Sequence, residues 1–81
     1  MEFDRERVDE MTLALLYLVM FDQEYGFSAW KGFDWDTMNR LHEKGYIGNP
    51  KSKAKSVVVT PEGRKKAEEL FRKYFMPDST K

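Results

Sequence analysis

The residues able to do chemistry fall into two groups, and the first leads nowhere catalytic. His42, the single histidine, stands beside Glu43. Neighbours on a helix point in different directions, so the pair does not share a substrate or a metal. No glycine-rich phosphate loop follows a strand, no nucleophile elbow is present, and no two histidines lie four apart. The absence of cysteine removes thiolate catalysis, disulfides and zinc-finger ligation together. No enzyme, cofactor or metal is expected, and no small-molecule ligand is identified, the aromatic cluster of 21–35 being core, pocket or interface. The second group is basic: Asn39, Arg40 and Lys44 at helical spacing, then Lys51, Lys53 and Lys55 alternating toward the tip of a hairpin. Lysines there would neutralise phosphates, while asparagine and arginine can read adenine and guanine. These six are the candidate contacts to double-stranded DNA.

Three helices and a ribbon must position them. Asp4 is placed to cap a first helix, with Phe3 and Val8 as a hydrophobic staple, and Asp9 and Glu10 fall on its wet side. The run 13–21 is apolar throughout, so this part of the helix needs cover on every side. A second helix starts from Asp34 as cap, with Phe33 and Met38 as its staple, and stops at Gly45. Its inner face holds Met38 and Leu41, and its outer face Asp36, Asn39, Arg40, Glu43 and Lys44. Ile47 then opens a ribbon that turns at Asn49 and Pro50 and returns through the β-branched stretch 56–59. Thr60 and Pro61 signal the final helix, with Ala67, Leu70, Phe71, Tyr74 and Phe75 on one stripe. The segment 22–32 is the least regular, with room for one helical turn at 28–31.

Eighty-one residues make one domain with a thin core, spanning 1–75, with 76–81 as a frayed tail. Hydrophobic residues at 41% and charged residues at 35% describe a folded, soluble chain. The nine-residue apolar run is too short for a bilayer span, the acidic start is wrong for a signal peptide, and the cytoplasm is the expected compartment. Net charge is zero, yet residues 1–43 hold ten acids against four bases and residues 44–81 the reverse, giving formal charges of −6 and +6. Half of the twelve aromatic residues lie in 21–35, including Tyr25. Leu13, Leu16, Tyr17, Met20, Trp30 and Trp35 are the candidate interface of a homodimer.

Laid out in this order, Leu-His-Glu-Lys-Gly-Tyr-Ile followed by Val-Val-Val-Thr-Pro-Glu-Gly-Arg resembles the recognition helix, wing and next helix of bacterial winged-helix regulators. Met-Thr-Leu-Ala-Leu-Leu-Tyr-Leu, Ala-Trp-Lys-Gly-Phe-Asp-Trp-Asp and Asn-Pro-Lys-Ser-Lys-Ala-Lys-Ser add a resemblance to a small bacterial family classified as a domain of unknown function. Together these imply an α+β fold, winged helix-turn-helix-like, with three main helices and a small antiparallel β-hairpin wing. The helix before the recognition helix is shortened to 27–31.

Two readings follow. In one the chain is a DNA-binding transcriptional regulator. In the other it is a homodimeric protein-interaction module of winged-helix fold that does not bind nucleic acid. Asp34 and Asp36 in the first turn of the recognition helix and a pI near 6.6 weigh against DNA. The arrangement of the cations discriminates: a continuous strip joining Arg40 and Lys44 to the wing lysines favours DNA, and pairing with acids favours the module.

Overall fold

The computed structural model describes residues 1–23, 26–51 and 54–76. Lys53 of the candidate DNA contacts, Tyr25 of the aromatic segment and tail residues 77–81 lie outside them.

Helix α1 (Arg5–Leu18) begins where Asp4 accepts the Arg7 amide at 3.0 Å. It stops earlier than the apolar run suggests. Val19 closes it with an N–H donated to Leu16, and Met20 and Phe21 enter strand β1 (Met20–Gln23). Strand β2 (Gly26–Trp30) pairs antiparallel with β1, setting Met20 opposite Ala29 and Phe21 opposite Ser28. The helical turn expected at 28–31 is therefore strand as far as Trp30, and a β-hairpin joins α1 to the next helix. The reason lies in long-range pairing: β2 is the centre of a three-stranded sheet, hydrogen-bonded on both sides.

Helix α2 (Trp35–Glu43) follows the expected pattern at both ends. Asp34 accepts the Thr37 amide at 3.0 Å, and Gly45, at φ +83°, closes the helix in the left-handed region. The Tyr46 amide reaches back to Leu41 at 3.1 Å and the Gly45 amide to His42 at 3.0 Å, which satisfies the last carbonyls of the helix. The expected wing is reduced. Ile47 makes only an isolated bridge to Val59, and Gly48 donates to the Val58 carbonyl at 2.8 Å. Strand β3 (Ser56–Val59) takes its main partner from β2 instead, matching Phe27 to Val59 and Ala29 to Val57.

Helix α3 (Pro61–Phe75) starts at Thr60, whose hydroxyl accepts the Gly63 amide at 2.9 Å and donates to the Gly45 carbonyl at 2.7 Å. The cap thus ties α3 to the end of α2. Gly63 is needed there because a Cβ would overlap the Tyr46 carbonyl, a backbone neighbour that side-chain movement cannot relieve.

The core joins Leu13, Ala14 and Leu16 of α1, Ala29 of β2, Met38 and Leu41 of α2, Val57 and Val59 of β3, Ala67 and Leu70 of α3, and Ile47. Pairing and alternation put Met20, Phe27, Ala29, Val57 and Val59 on the inner sheet face and Phe21, Ser28, Trp30, Ser56 and Val58 on the outer one. Tyr17 lies against Phe71 at 5.3 Å between ring centres, and the Tyr74 hydroxyl donates to Glu10 at 2.9 Å, joining α3 to α1. The chain is an α+β protein of three helices and a three-stranded antiparallel sheet. Among the described residues, no helix is long and apolar enough to cross a membrane.

Gly63→Ala should lower unfolding stability by about 1–3 kcal/mol, the range for forcing extra volume into packed structure, despite alanine's better helix propensity. Urea melts of the two proteins check this; an unchanged or raised midpoint would show that Tyr46 is not pressed against α3.

Candidate functional site

Asp9, expected on the wet side of α1, is buried, with its side chain 1% exposed. Its Oδ1 accepts Arg40 Nε at 2.8 Å, and its Oδ2 accepts Lys44 Nζ at 2.8 Å. Lys44 also reaches Glu6 at 2.9 Å. The candidate DNA contacts Arg40 and Lys44 are therefore turned inward, onto α1, and do not lie on the outer face where helical spacing put them. The physical cause is charge: a buried carboxylate is stabilised by the cations and donors around it, and α2 supplies both.

The inward side of α2 is a continuous relay. Arg40 Nη2 donates to Thr37 Oγ1 at 3.1 Å, and Thr37 Oγ1 donates in turn to Asp34 Oδ2 at 2.8 Å. Cap, helix and neighbouring helix are thus linked from Asp34 through Thr37 and Arg40 to Asp9 and Lys44. The Thr37 hydroxyl, then the Thr37 amide, hold the Asp34 carboxyl below the ordinary carboxylate range, outweighing its desolvation. Burial works against the charge on Lys44, but hydrogen bonds to Asp9 and Glu6 and their negative charges prevail and raise it above its ordinary 10.5.

The outward side of α2 is poorer in charge than the DNA reading requires. Asn39, His42 and Glu43 share a shallow cleft with Asn49 and Lys51, of about 290 Å³. His42 Nδ1 donates to the Ile47 carbonyl at 3.1 Å, and the Lys51 amide donates to Asn49 Oδ1 at 2.9 Å. Lys51 and Lys55 are exposed. Lys31 crosses between them, its ammonium donating to the Pro50 carbonyl at 2.8 Å and its amide to the Lys55 carbonyl at 3.2 Å. So the structure brings Asn39 and Lys51 together and separates them from Arg40 and Lys44. Among the described residues, no group of three or more histidines, aspartates or glutamates could hold a metal ion.

The candidate interface also divides. Leu13 and Leu16 are core residues, a correction with a simple cause: burying each contributes about 1.5–3 kcal/mol, and their helical phase points them at the other elements. Tyr17 and Met20 are half-buried against the same core. Trp30 and Trp35 remain exposed, at 53% and 55%. The reading missed Leu18, at 64%, and Val58, at 61%, which are the more exposed apolar side chains of α1 and β3. Counting the apolar run as a block hid the phase that selects Leu18, and alternation within Val-Val-Val would have singled out Val58. Phe21 stacks on Trp30 with ring centres 5.0 Å apart, on the outer sheet face.

Comparison with known proteins adds kinship without an activity. The model of a family described as a domain of unknown function (DUF6429) matches residues 4–77. An uncharacterized protein, y4hR, from Sinorhizobium fredii (strain NBRC 101917 / NGR234) is 49% identical over 75 residues, covering 93% of this chain and 97% of that protein. No solved structure matches the chain.

Replacing Asp9 by Asn keeps the shape and removes the charge that Arg40 and Lys44 address. Unfolding stability should drop by about 3 kcal/mol, the scale for breaking a buried ion pair from one side. Thermal melts followed by circular dichroism decide it, and a loss under about 0.5 kcal/mol, the size of a surface change, would contradict a structural role for the relay.

Proposed function

This chain belongs to the DUF6429 family, and for it we propose the role of a homodimeric protein-interaction module that leaves duplex DNA unread. The observation that carries the reading is the fate of Arg40 and Lys44. Both are engaged by Asp9, so the outward side of α2 offers a duplex Asn39, His42 and Glu43 but no cation of its own. A recognition helix that presents a carboxylate and no guanidinium meets phosphate repulsion without compensating contacts.

Apolar exposure supports the same conclusion. Trp30, Trp35, Leu18 and Val58 are each more than half exposed. Covering the exposed halves of the two tryptophans would remove roughly 200 Å² of mostly apolar surface from water, worth about 5 kcal/mol before the costs of association. A small domain with this much exposed aromatic surface is suited to a partner.

The fold is winged-helix-like in a finer sense than its α+β class. The order α2, glycine stop, Ile47 bridge, β3 and α3 keeps the sequence of recognition helix, wing and following helix. The β1–β2 hairpin stands where the helix before the recognition helix belongs. Cysteine is absent, which suits a cytoplasmic module in a reducing compartment. The second reading, a duplex-binding regulator, rests on the cleft where Asn39 and Lys51 meet.

Sedimentation velocity from micromolar to submillimolar protein, alongside titration of labelled random duplex at low salt, separates the two readings. The module predicts concentration-dependent dimers and no duplex binding. Monomers throughout, with duplex binding that weakens steeply as salt rises, would overturn it in favour of the regulator.

A further inference from the structure

We propose that the second copy docks edge to edge, β1 against β1 in antiparallel register centred on Phe21, so that two three-stranded sheets become one of six strands. This deepens the homodimer reading and rests on it. The two edges of the sheet differ. Beyond β3, Ile47 bridges Val59 and the Gly48 amide occupies the Val58 carbonyl. Beyond β1, among the described residues, there is no further strand in the sheet order.

Exposed edges are ordinarily blunted by lysine, proline or a bulge, because unpaired backbone groups invite another strand. Met20-Phe21-Asp22-Gln23 has neither lysine nor proline, and its pairing with β2 runs residue for residue without a bulge. Asp22 is the only charge on the strand. What protection it has is its shortness and Asp22, which pairs with Phe27 and so lies on the inner face, where Arg64 lines the same cleft. Each copy has zero formal net charge, so two copies meet without overall repulsion.

The chemistry of the strand selects the register. An axis through Asp22 would set two carboxylates directly opposite each other, which destabilises a strand pair. An axis between two residues would oppose the outer face of one copy to the inner face of the other and put the helices on opposite sides of the joint sheet. An axis through Phe21 avoids both and pairs Met20 with the second copy's Asp22.

Phe21 lies on the outer face and is already stacked on Trp30 at 5.0 Å. Across the junction the two Phe21 rings become cross-strand neighbours, giving a row of four aromatic rings with a tryptophan at each end. On the inner face a cleft of about 380 Å³ beside β1 is lined by Tyr17, Met20, Phe21, Asp22, Phe27 and Arg64. The second copy's Met20, paired with Asp22, falls beside this cleft, and the symmetry repeats the contact.

The cysteine-free sequence makes the test clean. In this register a Phe21→Cys variant brings two Cα atoms to about 4.5–5.5 Å, within disulfide range, whereas Asp22→Cys leaves them about 8 Å apart. Mild oxidation should link Phe21→Cys into dimers and leave Asp22→Cys monomeric. Because Phe21→Cys also removes a ring contact, wild-type hydrogen exchange is measured in parallel: the amides of 20–22 should exchange more slowly as concentration rises through the dimer range. Linkage through Asp22→Cys in place of Phe21→Cys overturns the register. Dimers by sedimentation whose β1 amides exchange at a concentration-independent rate, with neither variant linking, overturn edge pairing and leave the homodimer intact. A chain that stays monomeric at every concentration overturns both.

Discussion

The orientation of α2 depends on a single buried carboxylate. Asp9 lies inside the protein, and an unpaired charge there would cost several kcal/mol. Arg40 and Lys44, one helical turn apart on α2, remove that cost by donating to its two oxygens. Their side chains keep partial contact with water, at 23% and 30% exposure, so the pairing spares the cations full desolvation. The rotation of α2 about its own axis follows from this. Thr37 and Asp34 extend the same line of hydrogen bonds to the start of the helix, and Met38 and Leu41 are carried into the core beside it.

That constraint sets what remains outside. With Arg40 and Lys44 committed to α1, the outward side of α2 is left acidic, with Asp36 and Glu43 exposed, and the charge asymmetry between the two halves of the chain is partly discharged within one molecule through Lys44. The sheet is governed by a different rule. Its inner face is closed by Ala29, Val57 and Val59, and strict alternation then sends Phe21, Trp30 and Val58 outward. An antiparallel sheet tolerates water on one face, but that face ordinarily alternates to polar residues. Here, among the described side chains, the polar members are Ser28 and Ser56, and Ser28 is buried. The two features, cations withdrawn and aromatics presented, are the observations on which the proposed interaction module rests.

Features set by neighbours in sequence were legible before the fold was seen. Asp4, Asp34 and Thr60 with Pro61 cap helices, and Gly45 stops one, because a cap needs only the adjoining turn. Features set by distant segments were not. Gly26–Trp30 contains no run of β-branched residues and became a strand because β1 and β3 pair with it on either side. Asp9 read as solvated because helical phase alone cannot foresee an arginine 31 positions away. The same blindness placed Arg40 and Lys44 in the candidate DNA site and Leu13 and Leu16 in the candidate interface. Gly63 gave no local sign of its close approach to Tyr46, a contact created by the docking of α3 on the end of α2.

The direct measurement is of the Arg40 side chain itself. In nitrogen-edited NMR spectra, an Nε proton held by Asp9 should exchange slowly with water, resonate away from free arginine side chains, and stay unmoved when duplex DNA is added. An Arg40 Nε proton that exchanges as fast as a solvated guanidinium and shifts on addition of duplex would contradict the withdrawal of α2's cations, and with it the reading of this domain as an interaction module.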